Sequence, residues 1–366
     1  MRNMIVYYED GTLKTRTEES AIPSPGPHEI LIRVEVAGCN VKDYKHPLPN
    51  MYNNALNQGD DCAGTIAGLG SEVMAFRKGE RVAGFHMMDT PFGTYADYAI
   101  CPEHTVFRIP ESMSFEEAAT IPLAAFTAAV GLYRNLQLPT PWDRSDEHCP
   151  RSRTALIING ASSAVGGFAL KLAKMNPLIG PLVVTAGSSI DYVKSLSPDA
   201  VIDYRSPTVV EDLRQALGDA PARHVFDATN SLTSIRYLTS VMEPQSRYTC
   251  TSKLYADPRL GVDDSMEKAL QAIGAWYEIT FVGDVHGQPF LGQSRYPVKS
   301  GGLLFGSIMS RVFEEKLAEG SITEHPYTII RNGLSGVLDA LEALKEGTRK
   351  GNTKFVARLG DTPSTP

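Results

Sequence analysis

Cysteine is scarce and scattered: five residues in a chain of 366, at positions 39, 62, 101, 149 and 250, never spaced as Cys-x-x-Cys. An odd, dispersed set excludes a disulfide scaffold and a four-cysteine zinc cluster, and it suits a reducing cytoplasm. Basic residues are not in excess. The 35 Lys and Arg stand against 42 Asp and Glu, giving a net charge of −7, and no basic run marks a nucleic-acid surface. Long apolar runs are missing as well. The most apolar stretch, Ala118 to Leu132, is interrupted by Pro122 and reads as too short and mixed to span a bilayer. The N-terminus turns acidic at Glu9, too early for a signal peptide. The eight histidines show no ligand spacing, and there is no internal repeat. With 42% hydrophobic and 21% charged residues, the composition is that of a globular protein long enough for two domains.

What is present is organised around Leu156-Ile157-Ile158-Asn159-Gly160-Ala161-Ser162-Ser163-Ala164-Val165-Gly166-Gly167. A short apolar run ends in Asn-Gly, passes through small residues and continues with Val165, Phe168, Ala169 and Leu172 at helical spacing. The pattern predicts strand, tight turn, helix. A helix starting there aims free backbone N–H groups and its positive dipole end at whatever lies over the turn, and an anionic pyrophosphate fits. Three readings compete. The dinucleotide fingerprint wants three glycines and meets Gly160, Ser163 and Gly166, with a serine hydroxyl donor in the middle place. Gly160-Ala161-Ser162-Ser163-Ala164 also comes close to a hydrolase nucleophile elbow, but nothing local supplies the acid and histidine. The third reading is a strand-to-helix junction kept small for packing.

A second apolar run, Pro181-Leu182-Val183-Val184-Thr185-Ala186, lies one helix further on. A site for NAD places Asp or Glu near the end of such a strand to hold the ribose diol. From Gly166 to Ile190 there is no acidic residue; Ser188 and Ser189 follow the strand, and Lys194 comes shortly after. A carboxylate about 4 Å from a 2′-phosphate costs up to about 4 kcal/mol at an effective dielectric near 20. Its absence beside these donors favours NADPH over NADH; the plain alternative is a solvated serine loop.

Upstream, from Tyr7 to Cys101, short strands alternate with turns: Glu29 to Val36 behind a Pro-rich turn, then Gly64 to Gly70, Gly79 to Phe85 and Gly93 to Tyr98. This predicts an all-β, barrel-like module. Ser114-Phe115-Glu116-Glu117 reads as a capping box, and Gln137 to Arg153 as a polar, Pro-rich insertion. From Thr154 to about Gly283 strand and helix alternate, which predicts an α/β, doubly wound parallel sheet. Gly287 to Gly302 reads as an irregular loop. Helices over Leu303 to Glu319 and Leu334 to Glu346 and a strand over Lys354 to Leu359 complete the chain.

This order of modules resembles the medium-chain dehydrogenase/reductase superfamily across nearly the whole chain. The motifs are Val34 to Asp43, Gly59-Asp60-Asp61-Cys62-Ala63-Gly64, Gly79-Glu80-Arg81-Val82, Ile121-Pro122, the Gly160 turn, Asp203-Tyr204-Arg205 and Gly351 to Val356. The resemblance implies a GroES-like β-barrel catalytic domain over 1–123, a Rossmann dinucleotide-binding domain over 124–284, and a return to the catalytic domain over 285–366. Zinc-dependent members carry Cys and His where this chain has Asn40 and Asp60, and Leu123 stands about where a third ligand falls, so a zinc-free reductase is implied and no metal is expected. Within that branch Asn40, Asp43 and Lys45, the serine-rich turn and the Pro-rich insertion are most similar to trans-acting enoyl reductases of fungal polyketide biosynthesis.

The implied reaction is NADPH-dependent reduction of the α,β-double bond of a carrier-bound polyketide thioester, in trans with a polyketide synthase. The resemblance places Asn40, Lys45 and Thr127 near the nicotinamide ribose and the substrate carbonyl, with Tyr52 a proton donor. A surface role for Lys45, a packing role for Tyr52 and proton delivery by water stay open. Lys42 and Asp43 join the cofactor set. Ser162, Ser163, Ala164 and Val165 line the pyrophosphate; Ser188, Ser189 and Lys194 hold the 2′-phosphate; Tyr204 packs on the adenine side. Thr251 and Ser252 flank the nicotinamide, and the strand near Val356 closes over the cofactor. Two other functions remain: an NADPH quinone or free-enone reductase, and a non-catalytic NADPH-binding partner of a synthase. The last Rossmann strand is expected over Ile279 to Gly283. The Gly- and Pro-containing loop from Asp284 to Lys299 would obstruct its edge, so a monomer is expected.

Overall fold

The computed structural model describes residues 1–49, 51–144, 153–187, 189–229, 231–251, 265–289, 299–348 and 352–363. The chain divides into two compact units, Met1–Leu123 with Gly283–Pro366, and Ala124–Val282.

In the first unit seven strands form one sheet. Its order is Tyr327–Ile329, Lys354–Arg358, Glu29–Gly38, Asp61–Leu69, Arg81–Phe85 and Val106–Arg108, with Tyr98–Pro102 also paired to Glu29–Gly38. Glu29–Gly38 has antiparallel neighbours on both edges, and register shifts at Leu31/Ile32 and Val34/Val36 bend it. Its inward side chains Ile30, Ile32 and Val34 pack with Cys62, Val82 and Tyr95 in the core. The strand expected over Gly93 to Tyr98 forms later, at Tyr98–Pro102. The Asn57 amide takes a neighbouring strand's place there, donating to Gly93 O (3.0 Å) and accepting from Tyr95 N (3.0 Å). A hairpin precedes the sheet. Arg2–Glu9 pairs with Thr12–Glu19 across Asp10-Gly11, both at positive φ (49° and 73°), the two-residue turn that Asp-Gly favours.

The closing strand is anchored by charge. Lys354 Nζ ion-pairs with Asp61, whose carboxylate also accepts from Leu123 N (2.6 Å) and Asn40 Nδ2 (2.9 Å). Lys354 is buried and Asp61 fully so.

In the second unit six parallel strands run in the order Ala200–Asp203, Ile179–Ala186, Thr154–Asn159, His224–Asp227, Arg247–Cys250, Trp276–Ile279. Helices link successive strands. This is the doubly wound arrangement expected from the sequence. Leu156, Ile157, Ile158, Val183, Val184, Val225 and Phe226 are buried, as continuous apolar strands must be when helices cover both faces of a sheet. The last strand is Trp276–Ile279, earlier than Ile279 to Gly283. Its register with Arg247–Cys250 starts at Trp276, over whose ring the Arg247 guanidinium sits at 4.9 Å. Thr280 N still bonds Cys250 O (2.7 Å), but Val282–His286 then winds into a 3-10 turn. Ile279 ends the strand, and Val282 beyond it is buried without strand pairing.

Ser114 caps its helix as expected: its hydroxyl accepts from Glu117 N (3.2 Å), and the Glu117 carboxylate accepts from Ser114 N (2.7 Å). The helical run Phe115–Asn135 is longer than the apolar stretch read from the sequence. By its 21 residues and apolar composition it passes for a membrane span, but most of it is buried inside the protein, as in a core helix.

Two predictions follow from the first unit. Lys354→Met leaves a buried carboxylate unpaired and should cost about 3–5 kcal/mol, read by urea denaturation, with Lys354→Met/Asp61→Asn recovering much of the loss. Secondly, His104 Nε2 and His286 Nδ1 face each other at 3.1 Å, and burial lowers His104 to about 4 and His286 well below 6.5. The unfolded chain therefore binds more protons below pH 6.5, and stability falls as the pH drops from there towards 4. A His104→Gln/His286→Gln variant should lose less stability than the parent over that window.

Candidate active site

The strand Thr154–Asn159 runs into a turn with no room for a side chain at Gly160 or Gly166. Gly160 has φ +75°, and a Cβ there would lie 2.4 Å from Thr229 Cγ2; at Gly166 a Cβ would lie 2.3 Å from Gly160 O. These are the close approaches for which a dinucleotide-binding turn needs its outer glycines. Ser163, in the middle place, caps the helix Ala164–Ala173: Oγ accepts from Gly166 N (3.1 Å) and donates to Gly160 O (2.8 Å). Its hydroxyl proton closes the turn rather than facing a ligand. The N–H groups of Ala164 and Val165, in the first turn, have no acceptor within the helix. Ser162 to Val165 are half-buried while the residues flanking them, Ala161 and Gly166, are buried. This cradle fits a pyrophosphate.

A polar network lies beneath the turn. Asn159 Nδ2 donates to Asp227 Oδ1 (2.7 Å) and Thr229 Oγ1 (2.6 Å), and its Oδ1 accepts from the Thr185 and Tyr237 hydroxyls. Asp227 Oδ2 accepts from Ser234 Oγ (2.8 Å) and Tyr248 OH (2.7 Å). Burial pushes the Tyr248 hydroxyl well up, so it remains a donor. Four adjacent strand ends are thus locked together beneath the cradle.

Along the same edge, the Tyr204 ring lies against Gly187, where a Cβ would meet Tyr204 Cε1 at 2.7 Å, and Tyr204 is 43% exposed. Ser189 is half-buried, and Lys194 is exposed on the helix Ile190–Ser195. Asp203, the acid beside Tyr204, is gripped by the Arg205 guanidinium (2.7–3.2 Å), whose hydrogen bonds hold its carboxyl down to about 2. Thr251 follows its strand and donates to Ala228 O (3.2 Å). Thr127 is buried in the helix Pro122–Ala129. Ser188 and Ser252 lie outside the described residues. Ser162 to Val165, Ser189, Tyr204 and Thr251 thus gather at the carboxyl ends of the parallel strands, where doubly wound sheets hold ligands.

In the first unit Asn40, Lys42, Asp43, Lys45 and Tyr52 come from one turn, the single helical turn Lys42–Lys45 and the segment after it. Asp43 is fully buried, accepts from Asn40 N (2.8 Å) and Tyr95 OH (2.5 Å), and is raised by burial to about 7. Lys42 Nζ ion-pairs with Asp60, lies 3.5 Å from Asp43 Oδ1 and donates to Gln58 O (2.7 Å). The second Asp60 oxygen faces His86 Nδ1 at 3.0 Å. Lys45 is half-buried, and the Tyr52 ring packs on His46 with centroids 4.7 Å apart. Val356 is fully buried and pairs with Gly38, two residues before Asn40.

The two positions that offer a zinc ligand in the resemblance are already engaged, Asn40 by Asp61 and Asp60 by the Lys42 ammonium. Among the described residues no group of three or more His, Cys, Asp or Glu gathers as ligands. These residues do not fit a zinc ion. Sequence reasoning did not find Lys354, His86, Asp89 or the Asn159–Asp227 pair. The adjacent acids Asp60-Asp61 ahead of a strand were a visible signal, but their partners were not.

Residues 26–111 match the family model of the alcohol dehydrogenase GroES-like domain. Over 235 residues the chain is 37% identical to a trans-enoyl reductase of Gibberella fujikuroi, spanning 62% of this chain and 68% of that one. It is 25% identical over 369 residues to a trans-enoyl reductase of Pyricularia oryzae, spanning 97% and 98%. Among solved structures, the enoyl reductase CurK superposes with a TM-score of 0.73 at 20% identity, covering 99% of each chain.

The cradle yields a paired prediction. Gly166→Ala should weaken binding of the reduced nicotinamide dinucleotide at least about tenfold (1.4 kcal/mol), measured by nucleotide fluorescence titration. Ser163→Ala should cost about 1 kcal/mol of stability through the lost cap, and change that affinity less.

Proposed function

We infer that this chain, which belongs to the trans-enoyl reductases of the medium-chain dehydrogenase/reductase superfamily, reduces the α,β-double bond of a carrier-bound polyketide thioester with NADPH. In this reading it is a zinc-independent, cytoplasmic monomer that works in trans with a polyketide synthase. The observation that carries the reaction class is the Lys42 ammonium paired with Asp60, the position at which zinc-dependent members of the superfamily carry a histidine. In the zinc-dependent members a Lewis acid polarises the alcohol for oxidation. Conjugate reduction needs only donors for the developing enolate oxygen. The choice of NADPH rests on the acid-free stretch after Gly166 and on Asp203, whose charge Arg205 offsets.

Bound NADPH supplies the hydride that reaches the β-carbon. The chain does the rest. Ser162, Ala164 and Val165 hold the pyrophosphate on the cradle, whose turn Ser163 closes; Ser188, Ser189 and Lys194 hold the 2′-phosphate, and Tyr204 offers its ring to the adenine. Thr127, Thr251, Ser252 and Val356 flank the nicotinamide end. Lys42 and Asp43 set the turn that bears Lys45. Lys45 and Asn40 orient the ribose, and Lys45 donates to the thioester oxygen as charge develops there. Tyr52 delivers the α-proton.

Nicotinamide absorbance, followed with purified protein and α,β-unsaturated pantetheine thioesters, tests this reading. Turnover with NADPH and little with NADH is expected. Turnover of a small quinone alone would move the protein to the quinone-reductase branch, and tight NADPH binding with neither acceptor consumed would leave two options: a substrate that must arrive on its carrier, or no catalysis at all. Lys194→Ala should raise KM for NADPH about tenfold, the 1.4 kcal/mol of one charge-assisted contact, and leave KM for NADH unchanged.

A further inference from the structure

The segment around Tyr52 is held at both ends by one carboxylate. Asp89 follows the strand Arg81–Phe85 and takes φ +57°. Its Oδ2 and Oδ1 lie 2.9 and 3.1 Å from His46 Nδ1, and Oδ1 accepts from Asn54 Nδ2 (3.2 Å). His46 opens the segment and Asn54 closes it. Between them Tyr52 N donates to His46 O (3.1 Å), and the two rings lie at 35°. The anchor is itself anchored. Gln288 Nε2 donates to Met88 O (2.8 Å), and Gln58 Nε2 donates to Asn54 Oδ1 (2.8 Å).

The charges around this group fix its protonation. Burial raises the Asp89 carboxyl, but the His46 and Asn54 hydrogen bonds and the Lys42 charge outweigh it and keep Asp89 below the usual carboxylate range. An ionised Asp89 requires a proton on His46 Nδ1, which fixes the tautomer and the plane of the ring. The ring plane in turn sets the Tyr52 ring packed on it.

We propose that Asp89 and His46 form a positioning dyad that holds the Tyr52 phenol for proton delivery to the substrate α-carbon. The inference rests on the enoyl-reductase reading and adds to it the source and orientation of the proton. Once hydride has reached the β-carbon, the electron pair of the enolate double bond takes the phenolic proton to form the α C–H bond. The phenolate left on Tyr52 forms beside the imidazole and is reprotonated from water. The Lys42 charge and the Asn54 amide act on Asp89, and the Tyr52 ring packs on His46.

The test uses an α-methyl-branched unsaturated pantetheine thioester with NADPH in deuterium oxide, comparing the unaltered protein with Asp89→Asn, His46→Phe and Tyr52→Phe. Asp89→Asn keeps the shape and removes the charge, and His46→Phe keeps a ring against Tyr52 and removes the bond to Asp89. Both should lower kcat about ten- to a hundredfold, within the range of one general-acid group, and leave KM for NADPH unchanged. The unaltered protein should set one configuration at the deuterated α-carbon, whereas all three variants should give both. A single configuration and unaltered kcat in Asp89→Asn and His46→Phe would overturn the dyad while leaving the reductase reading intact. No turnover by the unaltered protein overturns both.

Discussion

Two neighbouring carboxylates, Asp60 and Asp61, stand fully buried at the head of one strand, and each is met by a lysine from elsewhere in the chain. Lys42 reaches Asp60 from the short helical turn, and Lys354 reaches Asp61 from the closing strand 293 residues away. A buried charge is tolerated only where a counter-charge and further hydrogen bonds replace the lost water. Here Gln58 O, His86, Asn40 and Leu123 N complete the set. The arrangement fixes the Asn40 turn and ties the closing strand to the sheet of the first unit. Fold and chemistry meet in the same four side chains.

The second unit solves a different problem with neutral groups. Its cradle must present bare backbone N–H groups, so nothing beneath it can move. Asn159, Thr185, Asp227, Tyr237 and Tyr248 supply that rigidity through hydrogen bonds between strand ends. Ser163 completes it by returning its hydroxyl to the backbone. Donors fixed before a ligand arrives lose little to reorganisation when charge develops near them. A reaction that needs only hydride, hydrogen-bond donors and a proton suits such a scaffold.

Much of this architecture was legible in the chain. The parallel sheet announced itself because strands buried on both faces are continuous apolar runs, as at Leu156 to Ile158 and Leu182 to Val184. The capping box at Ser114 and the helix start at Ser163 were equally plain, since caps are local. The hairpin at Asp10-Gly11 also carried its signal, one that composition arguments pass over. Local pattern failed where geometry is set at a distance. The apolar residues from Ile279 onward drew the strand too late, because pairing with Arg247–Cys250 sets its register from Trp276 to Ile279. The role of the Ser163 hydroxyl depended on the position of Gly160 O, and no spacing joins Asp61 to Lys354 or Asp89 to His46. The site was readable as a set of turns, but the partners that polarise it were not.

The most direct measurement traces the hydride. NADPH deuterated at C4 of the nicotinamide, mixed with the protein and an α,β-unsaturated pantetheine thioester in ordinary water, should give a saturated thioester with deuterium on the β-carbon and a solvent proton on the α-carbon. Deuterium at the carbonyl carbon, or a saturated product free of deuterium, would contradict conjugate reduction by this chain.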